Sequence, residues 1–182
     1  TEGGFVLVDR ERFSLAEADT RQDALAQMVL AIGGQDYAPD AAALSDLDVA
    51  IWDGELGQGR TLGHCKIASA TRALGGAEAF MIVGREPASC RASLTVLPGA
   101  VAVWDGRFDL ANESDRAWTV APLGADATRL RRSGRVPDWP SWLLQTLPNV
   151  AAADGSITVS ARRTWRLPWA SEPQFVAEIA EL

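Results

Sequence analysis

Residues 101–110 read VAVWDGRFDL, and this stretch decides the fold class. Apolar residues alternate with other residues on both sides of Asp105-Gly106, at the period of two that is typical of a half-buried strand. Asp-Gly supplies the positive φ angles that a two-residue hairpin turn needs. We therefore predict a β-hairpin in which Val103 lies opposite Phe108. Four apolar side chains form its buried face: Val101, Val103, Phe108 and Leu110.

The other face of this hairpin carries Trp104 and Arg107. In the predicted register the two side chains lie opposite each other, within reach of a cation–π contact. Two interpretations stay open at this point. The pair contacts a ligand, or it braces the turn.

The segment before residue 58 is predicted to be mainly helical. Residues 5–8 (FVLV) form a short strand or an extended lead-in. Apolar residues then recur at helical spacing from Thr20, a candidate N-cap, to Ile32. A second helix is expected from Asp40 to about Trp52, after Pro39. We predict a small helical unit over residues 1–58.

After residue 58 the pattern favours strands. The expected strands are 61–71, 80–84, 94–97 and 117–121, and the expected short helices are 125–132 and 138–144. A second Asp-Gly turn, Asp154-Gly155, would pair Ala152 with Ile157. Residues 175–179 fit a strand or a helix. The predicted fold class is α+β, with a mostly antiparallel β domain and short helices over residues 59–182.

The composition indicates a folded protein of the cytoplasm. Of 182 residues, 47% are apolar and 23% are charged. No run of about 18 apolar residues is present, so we expect no membrane span. The N-terminus lacks the pattern of a signal peptide, and the two cysteines fit a reducing compartment. Because the sequence lacks an initiator Met, we expect it to be a piece of a longer protein.

Charge is distributed unevenly along the chain. The net charge of −7 argues against a generic nucleic-acid binder. However, residues 1–128 carry a net −9, residues 129–166 a net +5 and the last 16 residues a net −3. Two arginine clusters account for the basic segment: Arg129, Arg131, Arg132 and Arg135, then Arg162, Arg163 and Arg166 with Trp165 and Trp169. Such residues bind RNA phosphates and bases, or they pair with this protein's own carboxylates and pack its core.

No catalytic or metal constellation emerges from the sequence. There is no P-loop, and no serine lies in a G-x-S-x-G motif. His64 is the single histidine, so a hydrolase built on it would lack a partner at motif spacing. His64, Cys65 and Cys90 offer at most three metal ligands at irregular spacing, and Cys65 fits a small buried residue better. We predict no catalytic and no metal-binding residues.

Several short segments follow one another along the chain: Arg21 with the helix to Gly33-Gly34, Tyr37-Ala38-Pro39, 61–67 (TLGHCKI), 84–87 (GREP), 103–108 (VWDGRF) and 121–124 (APLG). In their order and spacing these segments resemble bacterial tRNA(Ile)-lysidine synthases, in the region that follows their catalytic domain. The resemblance spans about residues 20 to 160. It departs from the family at Asp40, where an arginine is usual, and at His64, in place of the second glycine of an LGGC motif.

The resemblance implies a part of an ATP-dependent ligase that attaches lysine to the anticodon cytidine of tRNA(Ile). The SGGxDS loop that handles ATP, with Mg, in the catalytic domain is absent here, so this piece would bind no cofactor and be inactive alone. Expected partners are tRNA(Ile) and, for the full enzyme, the substrate lysine. The question whether the full enzyme forms a homodimer stays open. No association with a membrane is expected. The expected tRNA contacts are Arg129, Arg131, Arg132, Arg135, Arg162 and Arg163, followed by Arg21, Arg85 and Arg107.

A second hypothesis needs no RNA. The tryptophan-rich C-terminal half could form the contact face of a non-enzymatic protein-interaction domain. In that case Trp104, Trp165 and Trp169 would capture a protein partner, and the arginines would be dispensable.

Overall fold

The structure is a computed structural model that describes residues 4–70, 79–133, 139–149 and 157–161. Over these residues the protein has five helices and ten strands in three antiparallel sheets, which confirms the predicted α+β class. The chain forms two compact units. The first unit is Phe5–Glu86, and the second unit comprises the described residues from Pro87 onward together with Gly4.

The first unit is an antiparallel four-stranded sheet with helices packed on it. The strands follow the spatial order β1-β4-β3-β2. Its elements are β1 (Val6–Asp9), α1 (Arg10–Ser14), α2 (Ala18–Gly33), α3 (Ala41–Trp52), β2 (Arg60–Leu62), β3 (Cys65–Ser69) and β4 (Phe80–Arg85).

The two long helices form where the apolar spacing predicts them. α2 buries Leu25, Met28 and Val29 on one face, as helical periodicity requires. α3 begins after Asp40, whose carboxylate accepts hydrogen bonds from the backbone N–H groups of residues 42 and 43. The predicted cap at Thr20 is wrong, because α2 begins at Ala18.

The boundary between the two units does not fall after residue 58. Strands β2 to β4 belong to the same unit as the helices, because α2 packs against β3 and β4. Ile67 and Val83 are fully buried in that sheet. The division falls between Glu86 and Pro87 instead.

The segment predicted as one strand from Thr61 to Thr71 is a hairpin. Gly63 and His64 form its two-residue loop with φ angles of 54° and 64°. Leu62 therefore lies opposite Cys65. Both loop residues have the positive φ of a type I′ turn, and a glycine at the first position adopts it without strain.

The second unit contains two three-stranded antiparallel sheets, with strand orders β10-β7-β6 and β5-β8-β9. Its elements are a 3₁₀ turn (Pro87–Ser89), β5 (Leu94–Val96), β6 (Val101–Trp104), β7 (Phe108–Asn112), β8 (Trp118–Pro122), α4 (Asp126–Arg132), α5 (Ser141–Leu144), β9 (Pro148–Asn149) and β10 (Ile157–Ala161).

The hairpin of β6 and β7 exists, but its first strand faces the other way from the prediction. Trp104, not Val103, lies opposite Phe108, so Arg107 is an extra residue beside the turn. One extra residue moves a whole strand to its opposite face. Phe108 is buried as predicted, whereas Val101 and Val103 are 76% and 44% exposed.

Some predicted elements lie outside the described residues. These include the Asp154-Gly155 turn with the pairing of Ala152, and the segment 175–179. The described partner of β10 is β7, with Val159 opposite Leu110. In the part of the chain that the structure describes, no helix combines the length and apolar character needed to cross a membrane.

Candidate nucleic-acid interface

Three of the predicted tRNA contacts lie together at the C-terminal end of α4. Arg129, Arg131 and Arg132 occupy its last turn, and all three are exposed. Arg129 approaches Asp126 at 3.4 Å, but both side chains are solvated, so this ion pair contributes little. Among the described residues, no carboxylate forms an ion pair with Arg131 or Arg132. Their guanidinium groups are available to an external anion.

The position of α4 is fixed by the residues that precede it. The backbone N–H groups of Leu123 and Gly124 donate to the carbonyl oxygens of Leu147 and Gln145, at 2.9 and 3.0 Å. Ala127, in the first turn of α4, is fully buried. The arginines also oppose the negative end of the helix dipole, which favours cations at this terminus. The dipole interaction alone would explain why basic residues occur at this end of α4. Their exposure is the feature that allows them to bind an external anion.

The remaining residues of the two basic clusters are not among the residues that the structure describes. Arg135, Arg162 and Arg163 lie outside the described residues. Arg166, Trp165 and Trp169 do as well.

Arg107 does not lie on the surface. Its guanidinium donates to the carbonyl oxygens of Gly4 (3.1 Å) and Thr146 (2.6 Å), and its Nε donates to Asp105 (2.8 Å). Both side chains of the Arg107–Asp105 pair are almost completely buried. Trp104 is also buried, and its indole N–H donates to the Ala92 carbonyl oxygen at 2.9 Å. Trp104 and Arg107 therefore brace the turn, and both side chains are buried.

Arg85 is buried in the first unit. It is the last residue of β4, and its Nη1 donates to the carbonyl oxygen of Gly33 at the end of α2. A phosphate cannot reach this group without opening the packing of helix on sheet. We therefore exclude Arg85 and Arg107 from the candidate interface.

Arg21 is held by an acidic partner. Its Nε and Nη2 donate to the two carboxylate oxygens of Asp48, each at 2.7 Å, and its Nη1 donates to the Ala16 carbonyl oxygen at 2.7 Å. The hydrogen bonds that Arg21 donates to Asp48 raise the pKa of Arg21 above its ordinary value, against the opposing effect of burial. A raised pKa keeps the Arg21 guanidinium charged at every physiological pH, and only strongly alkaline conditions would remove its proton. Each of its three guanidinium nitrogens donates a hydrogen bond within the protein.

Trp52 is an exposed aromatic residue that the sequence interpretation treated only as a helix end. Its ring lies beneath the Arg21 guanidinium, with 5.1 Å from Cζ to the ring centroid. The ring is 59% exposed, and Val49 one turn earlier is 55% exposed. In the sequence, the spacing of three residues between Val49 and Trp52 was the signal that both lie on one side of α3.

The residues considered for a metal site do not form one. His64 is exposed at the tip of the β2–β3 hairpin, whereas Cys65 is buried and its Sγ donates to the Val29 carbonyl oxygen at 3.5 Å. The interpretation of Cys65 as a small buried residue is confirmed. Within residues 4–70, 79–133, 139–149 and 157–161, no group of three His, Cys, Asp or Glu could hold a metal ion.

No protein-family model matches the chain, and neither a curated protein nor a solved structure shows significant similarity to it.

Proposed function

We propose that this chain is the tRNA-binding region of a tRNA(Ile)-lysidine synthase and that it positions the tRNA without catalysing the ligation itself. The observation that carries the proposal is the exposed arginine cluster of α4, formed by Arg129, Arg131 and Arg132. The order of the family-like motifs along the chain supports it independently.

The chemistry of the α4 cluster suits an RNA backbone. Guanidinium groups bind phosphate oxygens through paired hydrogen bonds and keep their charge at any physiological pH. Arg129 and Arg132 are three residues apart and therefore project from the same side of the helix, with Arg131 beside them. Contacts of this kind recognise the shape of an RNA helix and carry little base specificity.

The family-like motifs coincide with positions that determine the fold. TLGHCKI at 61–67 forms the β2–β3 hairpin, and VWDGRF at 103–108 contains the turn between β6 and β7. GREP at 84–87 includes the buried Arg85 at the end of β4. These motifs therefore indicate a shared framework, and the RNA contacts come from residues outside them.

The ligation chemistry is not assigned to this chain. The full enzyme would use ATP, with Mg²⁺, to activate the cytidine before lysine is joined to it. This sequence contains no SGGxDS loop. In the described part of the chain, no group of three His, Cys, Asp or Glu could hold Mg²⁺.

The test is a titration of the purified chain with transcribed tRNA(Ile) at several salt concentrations. We expect log K to fall linearly with log salt, and the slope to become shallower when R129E, R131E and R132E are combined. Each lost phosphate contact should reduce the slope by about 0.7–0.9.

The matched control reverses three other exposed arginines: R12E, R60E and R91E. It changes the net charge by the same amount. Equal loss of binding in both triple variants, or binding that does not depend on salt, would refute a phosphate-binding role for α4. Circular dichroism establishes that both variants are folded.

The alternative, a protein-interaction domain that uses a tryptophan face, receives less support. Trp104 and Trp139 are buried, and Trp118 and Trp142 are half-buried, so no described tryptophan of the second unit is exposed. Trp165 and Trp169 lie outside the described residues. This function predicts that W165S and W169S abolish capture of a protein partner while the α4 charge reversals leave it unchanged.

A further inference from the structure

The C-terminal half of α3 presents an apolar surface that the proposed tRNA contacts do not use. Val49 and Trp52 lie three residues apart on this helix, so they share one side of it. Both are more than half exposed, although the neighbouring Ala50 and Ile51 are buried in the core. This pair is therefore not required to fill the interior of the first unit.

A cleft of about 220 Å³ opens between these side chains, and it is lined by Arg21, Asp48, Val49 and Trp52. The Arg21–Asp48 ion pair forms its polar part, with side chains only 13% and 5% exposed. The hydrogen bond from Arg21 to Ala16 and the stacking of Arg21 on Trp52 hold the arginine in place. The polar part of the cleft is thus fixed before any ligand arrives.

The size of the cleft indicates what kind of ligand fits. Sites for free cofactors and drug-sized molecules usually enclose roughly 300–1,000 Å³. A smaller apolar cleft beside an exposed tryptophan matches a single anchoring side chain of a protein partner.

The charges around the cleft indicate the sign of the charge that the partner carries. Arg21 is neutralised by Asp48. Asp46 and Asp53 are exposed and flank Val49 along α3, at three residues before and four residues after it. Glu17, also exposed, interacts electrostatically with Arg21. These carboxylates favour cations over phosphates beside the cleft, and the nearby guanidinium of Arg10 is engaged with the Ile51 carbonyl oxygen at 3.1 Å.

We propose that the Val49–Trp52 cleft docks an amphipathic, basic segment of a protein partner, with one apolar side chain in the cleft and lysines or arginines against Asp46, Asp53 and Glu17. Recognition of an apolar anchor between cations follows the helix-in-groove mode. The exposed Trp52 ring also offers a cation–π contact to the flanking cations. This surface lies in the first unit, and its existence is independent of the tRNA-binding proposal.

The test uses a synthetic helical peptide with leucines on one face and lysines on the other. It is titrated into the ¹⁵N-labelled chain, and the indole N–H signal of Trp52 is assigned by its loss in W52F. We expect the leucine–lysine peptide to shift this signal, together with the amides of Glu17 and Val49. The same peptide with glutamates in place of lysines should leave them unchanged.

Two variants test the surface directly. Val49→Ser and the double substitution D46K with D53K should each weaken peptide binding by roughly tenfold or more. The matched control, E113K with D115K, reverses two exposed carboxylates of the second unit and should bind like the unmodified chain.

Three results would overturn the proposal. One is the absence of a shift at Trp52, and another is equal binding by D46K/D53K and the unmodified chain. The third is a Trp52 shift produced by oligouridylate, or by raising the concentration of the chain itself, with none from the basic peptide. That result would assign the cleft to RNA or to self-association.

Discussion

Trp104 lies directly opposite Phe108 in the ladder between β6 and β7, with their ring centroids 5.8 Å apart. Asp105 and Gly106 form the turn between these two residues, with φ angles of 51° and 68°. Arg107 is left as the extra residue of a bulge. Because the bulge directs its guanidinium inward, an arginine that the sequence places at a hairpin tip becomes a buried structural group.

The first prediction tests the register of this hairpin. Val103→Thr changes an outward-facing, 44% exposed side chain, so it should alter the free energy of unfolding by about 0.5 kcal/mol or less. Leu110→Ala removes a fully buried side chain and should cost about 2–5 kcal/mol. Urea unfolding followed by circular dichroism measures both. Comparable costs for the two substitutions would favour the alternative register in which Val103 is buried.

The second prediction concerns the buried pair of Arg107 and Asp105. Arg107→Ala removes the guanidinium that pairs with a carboxylate only 3% exposed, and removing one member of such a pair costs about 3–5 kcal/mol. The same substitution also leaves the carbonyl oxygens of Gly4 and Thr146 without these donors. We expect a large fall in the midpoint of urea unfolding.

The control for this pair is the double variant Arg107→Met with Asp105→Asn. Removing both charges avoids an isolated buried ion, so the double variant should be more stable than Arg107→Ala. If Arg107→Ala were instead as stable as the unmodified protein, the guanidinium would not be buried in solution.

The elements that the sequence predicted correctly are those with a long, consistent period. α2 and α3 each show several apolar residues at helical spacing, and Leu25 and Ile51 are buried as expected. The register of β6 could not be obtained in this way. Ala102 and Trp104 are as compatible with a buried face as Val101 and Val103, and a one-residue bulge leaves no mark on either pattern.

The environment of each arginine was less predictable than the helices. Arg21 finds its carboxylate 27 positions away in Asp48, and Arg107 finds an acceptor 103 positions away in Gly4. Local spacing contains no information about such distant partners. Arg131 and Arg132 are exposed, as a cluster of basic residues at a helix end predicts. Clustered like charges repel one another, and burying them together is unfavourable.

The third prediction compares two ion pairs of the first unit. Arg21→Met should lower the free energy of unfolding by about 3 kcal/mol or more, because Asp48 stays buried without its bidentate partner. Arg12→Met is the matched control. The Arg12 side chain is 85% exposed and 3.7 Å from Asp9, so its loss should change stability by less than about 1 kcal/mol. Similar effects of the two substitutions in thermal unfolding would contradict the buried geometry of Arg21.

The fourth prediction concerns the contact between the end of α2 and the β2–β3 turn. A Cβ atom added at Gly33 would overlap the carbonyl oxygen of Gly63, which is backbone and cannot move aside alone. Replacing glycine by alanine inside a helix usually stabilises it by about 1 kcal/mol. Here we expect Gly33→Ala to destabilise the protein by about 1–3 kcal/mol, because the helix must shift away from the sheet.

Gly57→Ala separates this steric effect from the backbone preference of glycine. Gly57 also has a positive φ, 50°, but an added Cβ would meet nothing within 4 Å. The alanine should therefore cost only about 1–2 kcal/mol, the penalty of a left-handed conformation for an L-residue. Amide hydrogen exchange at Ile67 and Val83 then distinguishes the two variants. Gly33→Ala should accelerate exchange in β3 and β4 because it disturbs the packing of α2 on them, and protection equal to that in Gly57→Ala would show that the close approach of Gly33 to Gly63 is not needed.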